Sequence, residues 1–317
     1  MSNTIIAAEL TRYHGKLLAV DHVNFEVRPG EIFGYLGPNG AGKTTTIKML
    51  TGLLRPSGGK ALVNGYDIYH NLRQVKRSIG VVPETSNIYG ELTAWDNLMF
   101  TAEIHSVPRQ ERKQRIEELL QKFDLYERRA SKVKEFSAGM KRRLTIAMAL
   151  VHRPGILFLD EPTATLDVRS AIFVKNLIGQ LKDEGITIFL TTHYIEEADQ
   201  LCDQVAIINE GRIVACDTPE RLKSSILGVH TIEVSFNRYN GDMPNLAALP
   251  YCERVVKQGD KFRLSTHEPS EILLRLMDYA ESHALKIMSL NTLKPKLEDV
   301  FLKMTTPTTP KEQINYA

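Results

Sequence analysis

Three short stretches of this 317-residue chain hold residue types whose spacing suits phosphate chemistry. The first, Gly37-Pro38-Asn39-Gly40-Ala41-Gly42-Lys43-Thr44, has the spacing G-x-x-x-x-G-K-[ST] of a phosphate-binding loop. Its glycines let the backbone wrap an anion with N–H groups inward, because no Cβ blocks positive φ or close approach. Lys43 reaches β- and γ-phosphate oxygens, and the Thr44 hydroxyl is a ligand for Mg²⁺. In the second stretch, the apolar run Ile156-Leu157-Phe158-Leu159 leads into Asp160 and Glu161. Asp160 is placed to hold Mg²⁺ opposite Thr44, directly or through water, and Glu161 to polarise a water for attack on the γ-phosphate. The third, Thr191-Thr192-His193, offers an imidazole that donates to the γ-phosphate as charge shifts. Either acid could instead be a strand-end cap or an ion-pair partner, and a lone histidine is ordinarily structural. Their shared position after buried runs favours the chemistry.

These residues need elements that carry them to one place. Glu31 to Leu36 reads as a short strand and Thr45-Thr46-Ile47-Lys48-Met49-Leu50 as a helix start, so a bound phosphate meets the positive end of a helix. Residues 4–35 read as short strands, with an alternating run at 23–27 and a turn at Arg28-Pro29-Gly30. Tyr13, on or near the first strand, serves either packing or adenine stacking. Strands are expected at 60–64 and 78–82, the latter ended by Pro83.

A helical stretch follows. Thr93 caps a helix to about Ile104, and Pro108 opens another whose Ile116, Leu119, Leu120 and Phe123 share one face, as core. Ser137 caps a third, in which Lys141-Arg142-Arg143 oppose the helix dipole. Those three bases are expected to face carboxylates or phosphate, or to form a solvated face. Unbroken apolar strands return at 156–159 and 186–190, with a helix at about 168–182 between them for which Asp167 is a good N-cap. Strands alternating with helices imply a parallel sheet whose ligands lie beyond the strands' carboxyl ends, where Asp160, Glu161 and His193 fall. Residues 205–209 and 212–215 form a closing hairpin through Glu210-Gly211. A boundary near Thr218-Pro219 precedes the order β-α-β-β-α-β, a ferredoxin-like arrangement with a short first helix at about 244–249. A final helix holds Leu297 to Leu302, and a disordered tail is expected from Thr305.

Composition narrows the class. Hydrophobic content of 43% and charged content of 25% are those of a soluble globular protein, and 40 basic against 38 acidic residues give no bulk-charge argument for nucleic acid or anionic membrane. Cys202, Cys216 and Cys252 form no C-x-x-C pair and read as reduced thiols. No apolar run approaches the length that spans a bilayer, and the N-terminus lacks a secretory pattern. The expected compartment is the cytosol.

With these motifs in this order, the chain resembles the ATP-binding subunits of ABC transporters over about residues 4–217. The resemblance implies an α/β fold, with a P-loop NTPase (RecA-like) core, an N-terminal antiparallel β-subdomain and a helical subdomain at about 86–152. These make up an ATPase domain of residues 1–217, followed by a small α+β domain at 218–304 and the tail at 305–317. It places Tyr13 at the adenine, residues 37–44 with Thr45 at the phosphates, and Asp167 in a loop on the subunit interface. The family's LSGGQ signature stands here as Phe136-Ser137-Ala138-Gly139-Met140, retaining Ser137 and Gly139 to face the nucleotide of a second subunit. Glu84 stands where the family has its Q-loop glutamine, which makes it a candidate for contact with nucleotide and metal. These departures, and Leu297-Glu298-Asp299-Val300-Phe301-Leu302, look like the branch of drug-resistance and sodium-extrusion ATPases that serve ABC-2 type permeases.

The expected function is therefore Mg²⁺-dependent ATP hydrolysis that powers a separate integral membrane permease, with no nucleic acid partner. One copy of each motif implies pairing with a second copy of the chain or with a homologue, peripheral on the inner face of the cell membrane. The alternatives are a soluble ABC ATPase acting on ribosomes or DNA, and an ATP-gated interaction module with negligible turnover.

Overall fold

The computed structural model describes residues 4–85, 87–225, 230–237, 246–293 and 296–305. By its contacts the chain divides into two units, residues 1–219 and 220–317. In the first, β1 (Ile5–His14), β2 (Leu17–Val27) and β3 (Ile32–Leu36) lead to α1 (Lys43–Leu50). Then come β4 (Gly58–Val63), β5 (Tyr66–Asp67), α2 (Leu72–Ser78) and β6 (Ile79–Val82). Helices α3 (Ala94–Ile104), α4 (Arg109–Lys122) and α5 (Ala138–Ala149) follow. The unit continues with β7 (Ile156–Asp160), α6 (Val168–Asp183), β8 (Thr187–Thr192), α7 (Ile195–Leu201), β9 (Gln204–Asn209) and β10 (Arg212–Asp217). Helix α8 (Pro219–Ser224) starts at the division.

Two sheets build this unit: an antiparallel one ordered β2-β1-β4-β5, and a six-stranded one ordered β10-β9-β3-β8-β7-β6, parallel except for the β9–β10 hairpin. Every residue of β3, β7 and β8 is buried, as expected of parallel strands covered on both faces. A shared core joins the sheets. Phe25 of β2 lies 5.4 Å from Phe33 and 5.7 Å from Tyr35 of β3 and Phe189 of β8, ring centroid to centroid. Burying these rings and their aliphatic neighbours, at about 25 cal/mol per Å² of apolar surface, fixes β3 and β8 side by side. Their carboxyl ends thereby become one rigid platform. The hairpin turn uses Glu210 at φ 48° and Gly211 at φ 81°, the left-handed pair that a two-residue turn needs.

The helical elements follow their sequence signals. Thr93 accepts a hydrogen bond from the Asp96 amide at the start of α3, and Ile116, Leu119, Leu120 and Phe123 are core. The strand expected from Ser78 begins at Ile79, because residues 72–78 form a helix whose Val75 is buried. Among the described residues, no helix is long and apolar enough to cross a membrane.

The second unit holds β11 (His230–Phe236), β12 (Arg254–Gln258), β13 (Lys261–Thr266), α9 (Pro269–Ser282), β14 (Ile287–Leu293) and α10 (Leu297–Thr305). Its sheet is antiparallel and ordered β12-β13-β11-β14. The short first helix expected here is a single 3₁₀ turn, Leu246–Ala248, and its first residues lie outside the described ones. Thr305 belongs to α10 rather than to the tail, and residues 306–317 lie outside the described ones.

Candidate active site

The site forms where β3, β7 and β8 end. The glycine-rich loop leaves β3 and is pinned from three sides: Gly37 N donates to Thr192 O (3.2 Å), Ala41 N to Pro38 O (3.2 Å) and Gly211 N to Ala41 O (3.0 Å). Two of its glycines are sterically obligatory. A Cβ on Gly37 would lie 2.4 Å from Ile208 O, and one on Gly42, whose φ is 106°, would lie 2.5 Å from Ala19 O. Gly42 is also the N-cap of α1, so the positive end of that helix opens on the loop.

Lys43 is 6% exposed. Its Nζ donates to Gly37 O (2.7 Å) and Pro38 O (3.1 Å) and lies 3.1 Å from Glu161 Oε1. Glu161 is held from the other side by His193, with Nδ1 at 2.8 Å from Oε2 and the backbone N–H donating at 3.3 Å. The Glu161 backbone adopts the left-handed region, φ 48°, and its N–H is shared between Thr191 O and Thr191 Oγ1, both at 3.1 Å. The same Thr191 hydroxyl donates to Asp160 Oδ1 at 2.5 Å, and Thr44 Oγ1 donates to that oxygen at 3.3 Å. One hydroxyl and one carboxylate oxygen in contact suit a hard cation that completes its shell with phosphate and water. The donor set thus fits Mg²⁺, which Thr44 and Asp160 would hold.

Lys43, Thr44, Glu161 and His193 line a cleft of about 430 Å³ together with Asn39, Gly40, Thr45 and Glu84. No hydrogen bond joins the Glu84 carboxylate to Thr44 or Asp160 among the described residues. Across the cleft stand His14, Leu17 and Ala19. Tyr13 is not on this wall. Adjacent residues of a strand face opposite ways, and its amide is held by Ser57 Oγ at 3.1 Å. Ser137, Gly139 and Asp167 do not line the cleft either. Ser137 Oγ caps α5 by accepting from Met140 N, at 3.2 Å. Gly139 is buried, and a Cβ there would lie 2.1 Å from Ser170 Oγ. Asp167 caps α6, and hydrogen bonds, first from the Ser170 amide, hold its carboxyl below the usual range.

Three participants lacked a readable signal in the sequence. Thr191 looked like the end of a strand, yet it contacts both acids. Glu197 of α7 accepts from Thr163 Oγ1 at 2.8 Å just past the acids, and burial pushes its carboxyl up. Arg142 takes the unsolvated side of the expectation for its triplet: it is 4% exposed, its guanidinium donates to backbone carbonyls, and the Asp160 and Glu84 carboxylates are near enough to act on its charge. Arg143 does meet a carboxylate, Asp124 Oδ2, at 2.9 Å.

A second cavity of about 390 Å³ lies between the segment after α1, α2, β6, α3 and α5, and its lining includes the apolar Leu53, Ile79, Val81, Pro83 and Met148. His105 and His152 stack on its wall, centroids 3.9 Å apart. Burial, with His105 adding to it, pushes the His152 imidazole down to about 4.

A family model described as ABC transporter matches residues 20–164. The linearmycin resistance ATP-binding protein LnrL of Bacillus subtilis (strain 168) is 35% identical over 302 residues, spanning 94% of this chain and 97% of that protein. The Nod factor export ATP-binding protein I of Burkholderia thailandensis is 38% identical over 296 residues, spanning 93% and 94%. Among solved structures, a dimeric post-hydrolysis state of the ATP-binding cassette MJ0796 with ADP and Pi superposes with a TM-score of 0.61 at 26% identity. It covers 68% of this chain and 98% of that one.

Proposed function

The chain belongs to the ABC transporter family, as an ATP-binding subunit that hydrolyses ATP, and we propose that it does so with Mg²⁺ to drive a separate membrane permease of the ABC-2 exporter kind. The observation that carries this reading is the convergence of two hydrogen-bonded groups, Lys43–Glu161–His193 and Thr44–Asp160, which the Thr191 hydroxyl joins.

In the proposed reaction Thr44 and Asp160 would hold the ion, which would supply positive charge against the phosphates as the terminal group leaves. Lys43 turns from the Gly37 and Pro38 carbonyls to the β- and γ-phosphates, and Glu161 accepts the proton of the attacking water. His193, already oriented by Glu161, donates to the γ-phosphate. Two subunits would close on two nucleotides, each offering Ser137 and the start of α5 to the other's site. The dimeric neighbour supports that arrangement. The export named for the Nod factor protein and the resistance named for LnrL support an exporter here, which would place the chain on the inner face of the membrane. The apolar cavity beside Pro83 supports a permease contact there.

The test is nucleotide affinity and phosphate release measured together for the purified chain and for Lys43→Ala. Wild-type protein should turn over ATP only with Mg²⁺, and the variant should lose turnover and bind Mg-ATP more weakly. Wild-type turnover in Lys43→Ala would remove the phosphate-loop reading.

A further inference from the structure

Arg142 sits on α5, five residues past the capping Ser137, and its side chain is almost wholly buried. Burying a cation costs free energy unless its donors are met, and here they are met by backbone alone. Nη1 donates to Pro83 O at 2.7 Å, while Nη2 donates to Glu84 O at 2.9 Å and to Glu161 O at 3.2 Å. Burial pulls its pKa down, and the Asp160 and Glu84 carboxylates oppose that effect. A rigid, planar fork of donors is what reaches several separate carbonyls at once; an ammonium on a flexible stem does not.

The Glu161 carbonyl is the informative partner. A non-glycine residue at φ 48° carries roughly 1–2 kcal/mol of strain and persists only where its surroundings over-determine it. Thr191 fixes the N–H side of Glu161, and Arg142 fixes the C=O side. Between the two clamps the carboxylate is aimed at Lys43 and His193. The other two bonds tie the same guanidinium to the end of β6, where Glu84 enters the cleft.

We propose that Arg142 is a positioning residue for hydrolysis: it locks the left-handed Glu161 backbone and joins it, through one side chain, to α5 and to the Pro83-Glu84 segment. The inference rests on the reading of Glu161 as the base. It is tested with Arg142→Met, Arg142→Lys, Glu161→Gln and the two double variants in the full-length chain, by single-turnover hydrolysis and Mg-ATP affinity. Arg142→Met should lower the hydrolysis rate about 10- to 100-fold, the range for lost hydrogen bonds to a charged group, with affinity changed less than about threefold. Arg142→Lys, which keeps the charge but not the fork, should show the same pattern with a smaller loss. Because the effect runs through Glu161, each double variant should be no slower than Glu161→Gln alone, within about twofold. Losses that multiply in the double variants would overturn the proposal, as would a fall in affinity equal to the fall in rate, or wild-type hydrolysis in both Arg142 variants. If Arg142→Met fails to fold, the lysine series decides alone. Glu161→Gln by itself reports separately on the base: a wild-type rate there removes that reading and this one with it, whereas a slow Glu161→Gln with multiplying doubles removes this one only.

Discussion

Thr191→Val removes one hydroxyl and nothing else of consequence in size. The residue is fully buried, so the added methyl takes the volume of the oxygen and no water enters. Two contacts disappear. The 2.5 Å bond to Asp160 Oδ1 is charge-assisted, and its loss costs about 1.5–3 kcal/mol. The second contact, with Glu161 N, matters less because that amide keeps Thr191 O at 3.1 Å and is not orphaned. Among the described residues, the hydrogen bond that the Asp160 carboxylate retains is the longer one from Thr44, at 3.3 Å. Urea unfolding of the valine variant should therefore show a lower midpoint at unchanged m, corresponding to about 2 kcal/mol. If the bond orients Asp160 toward the ion throughout the reaction, turnover at saturating Mg-ATP falls by roughly 10- to 150-fold, the same energy read as a rate. Thr191→Ser keeps the hydroxyl and should stay near wild type in turnover. A valine variant with the wild-type midpoint and turnover refutes the argument that this hydroxyl supports both acids.

Glu84→Gln should keep most basal ATPase activity, since the Glu84 carboxylate makes no bond to Thr44 or Asp160 and its carbonyl remains available to Arg142; a loss as deep as that of Glu161→Gln would move Glu84 into the catalytic centre. Ser137→Arg should leave nucleotide binding to the isolated subunit nearly unchanged, because Ser137 is outside the cleft, yet block the ATP-dependent dimer in a Glu161→Gln background, as read by size-exclusion chromatography. His152 gives a pH signature. Its folded pKa lies below the ordinary 6.5, so the unfolded chain takes up the proton first. Its contribution to stability is intact above about pH 6.5 and is lost as the pH falls toward about 4. Thermal melts of His152→Gln should show a flatter acid limb over that window, with His105, whose pKa partial desolvation also lowers, supplying remaining slope of the same sign. An unchanged slope would show that His152 is not the group responsible.

Much of this molecule was legible in the sequence because its signals are local. The phosphate loop declares itself by glycines that the structure shows to be sterically forced at 37 and 42. Thr93, Ser137 and Asp167 announce helix starts because a short polar side chain satisfies an amide only three residues away. The buried strands at 156–160 and 187–192 are built on the apolar runs Ile156–Leu159 and Ile188–Leu190, and their ends put Asp160, Glu161 and His193 on one edge of a parallel sheet.

What tertiary structure alone decided is long-range. His14 lines the cleft and its neighbour Tyr13 does not, and the register shifts where β1 pairs with β2 hide that from a reader of the sequence. Thr191 acquires its role because β8 pairs with β7 in the register that sets it opposite Asp160. For Arg142 the sequence leaves open carboxylates, phosphate or solvent; only the docking of α5 beside the ends of β6 and β7 supplies three carbonyls from residues 19 to 59 positions away. Sequence fixes which groups are present and how the nearest backbone bends, since those energies act over a few residues. Which distant groups share a proton, a cation or a carbonyl depends on strand register and helix docking, and those are settled only when the whole core is buried.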